Sequence, residues 1–485
     1  MPASAAGVTP PREPVTRHLS PVGAENRLLG TPQSQWLGAP AIGRAVEVYA
    51  SATDVAPGGN VAVHVSTAPV ASYRILVYRL GWYRGAGARR LSCIPSCSGS
   101  EQGASEEIPS PEPTGRIVAD WPTTDTVTIG RDWVSGYYLI RVVLVDGPHV
   151  GKSATTYVVV NPRRRDSKIL IQVPVLTWQA YNSWGNRSLY DFPGLDPRAR
   201  YVSFERPYAW DGPGGQGPLG WEIQFVRFVE RNGYDVAYQS DVYTHAHPRS
   251  LLGHRLVVVA GHSEYWSKRM RDAFQAARDS GVNLAFMGAN AAYWQVRLED
   301  RRRTIVAYKS MYDPNPDPAL KTAMFRELVP PRYECELIGI QHQGVGLHWP
   351  SGDYTVQAAA VRDPWMRGTR FRAGSVIRGV VSIETDTIPG NQSPSSSCGH
   401  SLTVFFHREL GGDKDGNADS TRYVAPSGAI VFASGTHQFS WGLDDFSGVR
   451  GLVRNLVDAR LQRFMRNALD AMTQDMGMRR GSPGP

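Results

Sequence analysis

Three polar side chains directly follow a run of apolar residues in the stretch VVVAGHSEYWS, at positions 257–267. His262 offers an imidazole, Glu264 a carboxylate and Tyr265 a phenol. An imidazole has a free pKa of about 6.5 and suits proton transfer, whereas carboxylate and phenol oxygens suit a hard metal ion. The stretch therefore predicts acid–base chemistry, metal binding or both at the end of a buried strand.

Polar and aromatic side chains also follow three further apolar runs. The runs ILIQVP, VNLAFM and AIVFAS continue into VLTWQAYNSWG, GANAAYW and GTHQFSW. The side chains presented in this way are Trp178, Tyr181, Asn182, Asn290 and His437. One polar residue at a strand end is usually only part of a turn. Because ligands bind at the carboxyl ends of parallel strands, four such ends together indicate a site.

The chemistry of this predicted site depends on which nucleophile or ligand it offers. The order strand–GH, helix, strand–GANAA resembles class I glutamine amidotransferases, whose second strand ends in a turn that presents a cysteine. Asn290 occupies the matching position, and the turn holds neither Cys nor Ser, so acyl-enzyme chemistry is not expected there. The remaining oxygen donors suit ferric iron, and also Mg, Mn or Ca. Two phenolates and one carboxylate would balance the charge of Fe(III), although each tyrosine alone is as readily a core aromatic.

A β-rich unit must precede these strand ends. AVEVYASATDVAPGGNVAVHVST alternates on both sides of a PGGN turn, and GYYLIRVVLVDG and SATTYVVVN read as further strands. Short strands without a helical period predict an antiparallel sandwich of immunoglobulin type over 44–162. Residues 1–43 are rich in Pro, Ala and Gly and are expected to form a mostly irregular tail.

Strands alternate with helices over 163–475, which predicts a doubly wound, mostly parallel sheet. WEIQFVRFVERNG and SKRMRDAFQAARDSG have the spacing of amphipathic helices, with Ser267 expected to cap the second. A Gly-, Pro- and Asp-rich stretch over about 300–420 predicts a β-rich insertion or cap. VRGLVRNLVDARLQRFMRNALDAM is the predicted closing helix, and 476–485 the predicted flexible tail.

Composition and charge narrow the class of protein. The chain has 485 residues and a net charge of +8, and no window of about 18 apolar residues that would span a bilayer. The arginine runs NPRRRDSK (161–168) and LEDRRR (298–303) are more often solvated surface or linker than nucleic-acid contacts. We therefore expect neither a nucleic acid nor a membrane as partner.

The cysteines and the N-terminal stretch bear on location. The four cysteines form no CxxC pair and predict structural or free thiols rather than a zinc site. Cys93 and Cys97 could close a small loop in an exported protein. The first twenty residues lack the apolar segment of a secretory signal, so the cytoplasm is the expected location unless a signal has been removed.

Six stretches make the chain resemble the large (β) subunit of N,N-dimethylformamidase and its relatives, over residues 44 to 475. They are VYRLGWYRGAGAR, WVSGYYLIRV, LTWQAYNSWG, AGHSEYWS, GANAAYWQVR and FASGTHQFSWGLD. The resemblance implies an Ig-like domain followed by an amidotransferase-like α/β domain. It also implies a mononuclear Fe(III) held by two tyrosines and a glutamate, and a separately encoded small subunit.

The same resemblance assigns the metal ligands by motif. Glu264 in GHSEYW and Tyr181 in WQAYNSWG match the glutamate and one tyrosine. The second tyrosine would be Tyr138 in SGYYLI, with the neighbouring Tyr137 as the alternative, supplied by the last strands of the sandwich. Tyr138 as a ligand would place the iron between the two domains, where sites are common.

The resemblance also places His262 and Asn290 close to the metal. His262 would then act as general base and proton shuttle, and Asn290 as a hydrogen-bond donor to the developing oxyanion. Glu264 would thus be both ligand and part of the catalytic group. The side chains expected to line the substrate pocket are Trp178, Trp184, Trp266 and His437.

The function implied is iron-dependent hydrolysis of a small non-peptide amide such as N,N-dimethylformamide. The expected partners are that amide, a small subunit and further copies of the chain. A different hypothesis is a non-catalytic or carbohydrate-binding relative, in which Trp349 and Trp365 of the insertion would line a groove. A third keeps the same cage of ligands around another divalent metal.

Overall fold

The computed structural model describes residues 19–191, 197–209, 217–345, 352–382, 384–389, 398–409, 417–447 and 455–474. This part of the chain is mostly β-structure, in five sheets, with few helices. The α-helices are α1 (Pro21–Glu25), α2 (Gln33–Leu37), α3 (Val175–Tyr181), α4 (Pro218–Trp221), α5 (Ile223–Arg231), α6 (Asp241–Ala246), α7 (Lys268–Asp279), α8 (Cys335–Ile338) and α9 (Ala459–Thr473).

The strands fall into two groups along the chain. Those of the N-terminal region are β1 (Ala39–Pro40), β2 (Glu47–Ala50), β3 (Asp54–Val55), β4 (Asn60–Ser66), β5 (Ser72–Leu80), β6 (Ala88–Ile94), β7 (Glu101–Gln102), β8 (Asp125–Thr128), β9 (Gly136–Leu144) and β10 (Lys152–Val160). Those that follow are β11 (Ile169–Val173), β12 (Tyr201–Ser203), β13 (Val236–Ser240), β14 (Leu256–Ala260), β15 (Tyr265–Ser267), β16 (Asn283–Met287), β17 (Trp294–Glu299), β18 (Thr304–Val306), β19 (Gln341–Val345), β20 (Gly352–Val356), β21 (Val376–Val381), β22 (Glu384–Thr387), β23 (Thr403–Arg408), β24 (Ala418–Val424) and β25 (Ile430–Ala433).

Two packed sheets occupy the region predicted to be a sandwich. One has the order β1-β10-β9-β5-β6, with β3 and β7 beside it, and the other has the order β2-β4-β8. Alternate side chains of both sheets, such as Val48, Val63, Val77 and Ile140, meet in one buried apolar core. The period-two pattern of the sequence produces this packing, because successive strand residues point to opposite faces.

The described part of the predicted tail, residues 19–43, is not irregular, because it contains α1, α2 and β1. Asn26 explains part of this difference. Its side-chain oxygen accepts hydrogen bonds from the N–H groups of Trp82 and Tyr83, both at 2.9 Å, in a turn where Tyr83 has a φ of 43°. The tail therefore caps backbone donors that the turn leaves without partners.

The central sheet has nine strands in the order β13-β11-β14-β16-β25-β24-β23-β20-β21. The first five are parallel, and β11, β14 and β16 are buried along their whole length, as expected for strands covered on both faces. The predicted helices α5 and α7 are confirmed. The Ser267 hydroxyl accepts from the N–H of Met270, as an N-cap does.

The stretch 300–420 is β-rich, and four of its strands, β20, β21, β23 and β24, extend the central sheet. Strand β22 lies apart and pairs with β19, and its Thr385 forms a bridge to Thr436 after β25. Chain from this stretch therefore reaches the end of the parallel strands. The closing helix α9 begins at Ala459 with Asp458 as its cap, whereas the predicted start and the tail 476–485 lie outside the described residues.

Buried polar contacts fix the sandwich to the central sheet. Arg79 of β5 and Glu230 of α5 form an ion pair with an N–O distance of 2.7 Å, and both side chains are fully buried. The indole N–H of Trp184 donates to Glu47 of β2 at 2.6 Å, which holds the turn after α3. Removing one partner of a buried ion pair costs about 3–5 kcal/mol, so the relative position of the two layers is firmly set.

All four cysteines are paired. One disulfide joins Cys93 to Cys97 and the other joins Cys335 of α8 to Cys398. The predicted alternative of a small closed loop at Cys93 is the one that the structure contains. Among the described helices, none has the length and apolar character required to cross a bilayer.

Candidate functional site

Three oxygen-bearing side chains meet beyond the ends of α3 and β14. The Tyr181 hydroxyl donates to Glu264 Oε2 at 2.8 Å, and the Tyr190 hydroxyl lies 2.7 Å and 2.6 Å from Oε1 and Oε2. The two phenol oxygens are 2.9 Å apart. We call Tyr181, Tyr190 and Glu264 the oxygen cluster. Its carboxylate is buried, and its two tyrosines are half-buried.

Short backbone contacts hold the oxygen cluster in place. Tyr181 is the last residue of α3, and Thr177 of the same helix accepts the N–H of Glu264 at 3.0 Å. The N–H of Leu189 donates to the carbonyl of Ala180 at 3.0 Å, which returns the chain to α3 next to Tyr190. The helix therefore positions all three members.

The phenols of this cluster are protonated in the absence of a cation. Burial raises the pKa of Tyr181 and Tyr190 well above its usual range, and the negative charge of Glu264 adds to the effect. Each hydroxyl can therefore donate to the carboxylate. A cation among the three oxygens would oppose both causes, because it stabilises phenolate as well as carboxylate.

Two histidines and a second glutamate lie next to the oxygen cluster. Glu384 Oε2 is 3.2 Å from His262 Nε2 and 3.2 Å from His437 Nε2, and His262 Nε2 is 3.4 Å from Glu264 Oε2. We call His262, Glu384 and His437 the imidazole cluster. Its ligand atoms lie within 4.8 Å of one another, so this largely buried group could bind a metal ion.

The protonation of the imidazole cluster follows from its contacts. The N–H of Ala289 donates to His437 Nδ1 at 3.2 Å, so a neutral His437 carries its proton on Nε2, facing Glu384. Burial lowers the pKa of His437, and the positive charge of His262 lowers it further. Burial alone would lower the pKa of His262. The negative charges of Glu384 and Glu264 outweigh this effect, so the pKa of His262 is raised.

Glu384 shows the opposite balance. Burial would raise its pKa, yet the charge and hydrogen-bonding groups of His262 and His437 hold it well below the usual range. These pKa directions favour the protonated form of His262 and the neutral form of His437, on either side of the Glu384 carboxylate. Such a group can store a proton close to the oxygen cluster and give it up again.

The predicted residue Asn290 lies in the turn after β16. Its φ of 50° is in the left-handed region, and its N–H donates to Asp386 Oδ1 at 2.8 Å. The side chain is only 4 % exposed, and its Oδ1 has no hydrogen-bond partner within the described residues. The same turn packs on the site, since the N–H of Ala292 donates to the carbonyl of Ser263.

The second tyrosine of the cluster is Tyr190, and the structure does not bring Tyr138 there. Tyr138 belongs to the apolar core of the sandwich, where its hydroxyl donates to the carbonyl of Val134 at 2.6 Å. Tyr137 points to the opposite face of β9 and packs near Trp178 and Tyr238. Strand alternation separates the two neighbours, and neither face of β9 leads to Glu264.

The three predicted pocket tryptophans pack elsewhere. Trp178 donates its indole N–H to Glu222, and Trp184 donates to Glu47. Trp266 donates to Ser263 and packs against Phe274 of α7, with the ring centroids 4.6 Å apart. All three are buried, with at most 5 % of the surface exposed. Of the four residues predicted to line the pocket, the structure brings only His437 to the site.

Tyr190, Glu384 and Lys309 are site residues that the sequence did not indicate. Lys309 Nζ lies 3.6 Å from the ring centroid of Tyr190, and burial lowers the pKa of Lys309 to about 8. None of the three follows a parallel strand, so the pattern of strand ends could not find them. For Glu384 and Lys309, the one weak sequence signal is that each is a charged residue within the predicted insertion. Many surface residues share this property, so it does not identify a site.

Comparison with known proteins adds the family. A search of curated proteins gave no match to the chain. The family described as "N,N-dimethylformamidase beta subunit-like, C-terminal" matches residues 74–453 of the 485, which include every member of the oxygen and imidazole clusters. The chain therefore belongs to the N,N-dimethylformamidase beta subunit-like, C-terminal family.

Proposed function

We propose that the chain is a metal-dependent hydrolase that cleaves the carbon–nitrogen bond of a small non-peptide amide, of the N,N-dimethylformamide kind. One observation carries this proposal: two phenol oxygens lie 2.6–2.8 Å from the carboxylate of Glu264. Family membership supports the reaction class, because the family's name refers to an amide hydrolase.

The oxygen cluster fits Fe(III) by its donor set. It offers only hard oxygen donors, and deprotonation of both phenols gives three negative charges, which match the ion. Tyr181, Tyr190 and Glu264 would hold the metal. When bound, the metal supplies a Lewis acid that polarises the amide carbonyl or acidifies a water molecule.

The imidazole cluster suits proton transfer better than metal binding. His437 carries its proton on Nε2, the atom that a metal would need, because Nδ1 already accepts the N–H of Ala289. His262 Nε2 lies within 3.4 Å of both Glu264 and Glu384, so it can exchange a proton with a substrate next to the oxygen cluster. We assign proton transfer to His262 and the positioning of His262 to Glu384.

Asn290 supplies the polar contact for the carbonyl oxygen in this proposal. Its buried side-chain amide belongs to the turn that packs on Ser263, one residue before Glu264. Donation from such an amide to a developing oxyanion is typically worth about 3 kcal/mol. Asn290 would thus stabilise the negative charge while His262 moves the proton.

The domain assignment remains part of the proposal. The two packed sheets support an Ig-like domain over 44–162, and the parallel strands β13-β11-β14-β16-β25 support an amidotransferase-like domain over 163–475. A small subunit and further copies of the chain are the proposed partners. Size-exclusion chromatography with light scattering measures the mass of the assembly and tests both.

The location is open to a direct test. The cytoplasm is the expected location from the sequence, whereas two disulfides favour an oxidising compartment. Protein purified from an oxidising compartment and denatured without reductant should react with no thiol reagent. Four reactive thiols per chain would instead favour the cytoplasm.

The structure does not support one of the two tryptophans named for the carbohydrate-binding alternative. Trp365 is 3 % exposed and stacks on Phe405 in the core, with Phe432 and Phe464 at its edge. A buried indole cannot line a sugar-binding groove. Trp349, the other residue of that hypothesis, lies outside the described residues.

The experiment that tests the proposal combines metal analysis with activity. Protein produced with added iron should contain about one iron per chain and absorb visible light through a tyrosinate-to-iron transition. It should also release dimethylamine from N,N-dimethylformamide, or the amine from another small amide. Protein that binds no metal and hydrolyses none of a set of small amides would contradict the proposal. Active protein that contains zinc or manganese would change only the identity of the metal in the proposal.

A further inference from the structure

The arginine run LEDRRR, which the amide chemistry does not use, forms one wall of a separate cleft. This cleft has a volume of about 230 Å³ and lies between the turn at 299–303, the sandwich turn at 51–54 and helix α6. The polar residues that line it are Ser51, Thr53, Asp54, Tyr243, His247, Arg301, Arg302 and Arg303. Three separate elements therefore direct donors into one space.

The backbone of the arginine turn is held in an unfavourable conformation. Asp300, Arg301 and Arg302 have φ values of 48°, 55° and 70°, in the left-handed region that residues with a side chain seldom adopt. Such conformations persist only where the surroundings enforce them, and they occur preferentially at functional sites. Here Asp300 is anchored by Arg116 and by Thr304, whose hydroxyl lies 2.7 Å from its carboxylate.

The two arginines at the tip of this turn differ from their neighbour. Arg303 is neutralised by Glu205 at 2.5 Å and also donates to the carbonyl of Ala50. Arg301 and Arg302 are exposed and, within the described part of the chain, have neither an ion-pair nor a hydrogen-bond partner for their guanidinium groups. Two uncompensated positive charges thus face the same cleft.

The remaining walls do not cancel this charge. Asp54 is the one acid that lines the cleft, so its single negative charge faces the two charges of Arg301 and Arg302 and leaves a net positive charge. Its carboxylate oxygens are turned toward Ser240, Asn161 and Thr53, which donate to them at 2.6, 2.9 and 3.1 Å. The Ser51 hydroxyl accepts the N–H of Ala62, which leaves its own proton to donate. His247 packs on the ring of Tyr243 at 4.4 Å and offers an imidazole at the opposite wall.

A neighbouring histidine responds to the same positive field. His245 of α6 lies 2.7 Å from the Ser267 hydroxyl through its Nδ1. Burial is the largest cause that lowers the pKa of His245 to about 4, and the charges of Arg269 and Arg302 lower it further. The positive charge of Arg302 therefore also acts on helix α6, which borders the cleft.

We propose that this cleft binds a phosphate group, either as free inorganic phosphate or as a phosphate monoester. Guanidinium groups match phosphate oxygens in pairs, and donors from three sides suit a tetrahedral anion better than a planar carboxylate. The volume leaves room for a small group esterified to the phosphate. The cleft shares no lining residue with the oxygen or imidazole cluster, so this site does not depend on the amide chemistry.

Phosphorus NMR titrations of the full chain at low ionic strength test this site. Inorganic phosphate and glycerol phosphate are the two probes, and each should saturate one site per chain. The double variant Arg301→Gln/Arg302→Gln should weaken binding about tenfold or more, because it removes two charge-assisted contacts. Arg302→Lys keeps the charge but loses the planar fork, so it should weaken binding less.

The chain supplies a matched control in its other arginine run. Arg163→Gln/Arg164→Gln removes the same charge from exposed residues, and it should change affinity by no more than about twofold, because it affects only the long-range field. Tighter binding of glycerol phosphate would identify an ester as the ligand, and tighter binding of phosphate the free ion. Equal losses in both double variants, or no saturation by wild-type protein below about 10 mM, would overturn the proposal.

Discussion

The oxygen cluster and the imidazole cluster lie side by side at one end of the central sheet, yet they hold protons in different ways. In the oxygen cluster, two phenols whose pKa values burial has raised lie around one carboxylate. In the imidazole cluster, two histidines face one oxygen of Glu384, whose pKa they depress. The first group gains most from a cation, whereas in the second the two glutamates raise the pKa of His262 and so favour its cationic form.

Under the proposed function, this difference gives the two glutamates complementary tasks. Glu264 can exchange two phenol protons for a metal ion, because all three ligand oxygens are already in contact. Glu384 compensates the charge of His262 and keeps Nε2 directed toward the oxygen cluster. Adjacent carboxylates can therefore serve Lewis-acid and proton-transfer chemistry if their neighbours differ.

The largest expected effect is that of Glu264→Gln. The substitution removes the only carboxylate of the oxygen cluster and leaves its shape almost unchanged. We expect loss of bound metal and at least a thousandfold loss of amide hydrolysis, since metal catalysis contributes roughly several kcal/mol. Elemental analysis and amine release measure the two losses. Full metal content in this variant would show that the oxygen cluster is not the metal site.

Tyr190→Phe tests whether the structure has identified the second tyrosine correctly. Loss of one phenolate ligand should weaken metal binding about a hundredfold and shift the visible absorption band. Tyr138→Phe is the matched control, because its hydroxyl contacts only the carbonyl of Val134 among the described residues. It should leave the band unchanged and lower the free energy of unfolding by about 1 kcal/mol. The reverse pattern would favour Tyr138.

Glu384→Gln addresses the imidazole cluster with the same chemical change as Glu264→Gln. The variant should keep its metal, because Glu384 is not a member of the oxygen cluster, but kcat should fall about 10- to 100-fold as His262 loses its charge partner. If Glu384→Gln lost its metal while Glu264→Gln retained it, the imidazole cluster would be the metal site and the oxygen cluster would not. Measuring kcat per bound metal separates the two effects.

The sequence predicts the positions of the site residues that follow parallel strands better than that of Glu384. His262, Glu264, Asn290 and His437 follow parallel strands, and the common edge of a parallel sheet is sufficient to predict that they converge. Glu384 comes from β22, which returns to the site from within the stretch 300–420. No local pattern encodes such a return, because it depends on long-range pairing.

The two tyrosines of the oxygen cluster also differ in how well the sequence predicts their positions. Tyr181 ends α3, directly after a strand, whereas Tyr190 belongs to a loop whose path is set by contacts with α3. Alternation along β9 does predict that Tyr137 and Tyr138 point to opposite faces. It cannot state which layer covers each face, and the structure shows that Tyr138 faces the sandwich core.

Glu222 is a further buried carboxylate that belongs to neither cluster and, within the described residues, has no histidine among its hydrogen-bond partners, so it extends the comparison. It accepts the indole N–H of Trp178 at 2.9 Å, and burial raises its pKa from 4.5 to about 8. The folded state therefore holds one more proton than the unfolded state between these pH values. Stability from this group is complete below about pH 4.5 and is lost as the pH rises through about 8.

Glu222→Gln should consequently be as stable as the wild-type protein near pH 4.5 and more stable at pH 8 and above. The two free energies of unfolding should diverge by up to about 1.4 kcal/mol per pH unit in between. Urea denaturation at pH 5, 7 and 9 measures the divergence. If the free energies of unfolding of the two proteins had the same pH dependence, Glu222 would be ionised in the folded state with an ordinary pKa. Burial without a cationic partner would then not raise the pKa of a glutamate in this protein, and Glu222 would be ionised like Glu384.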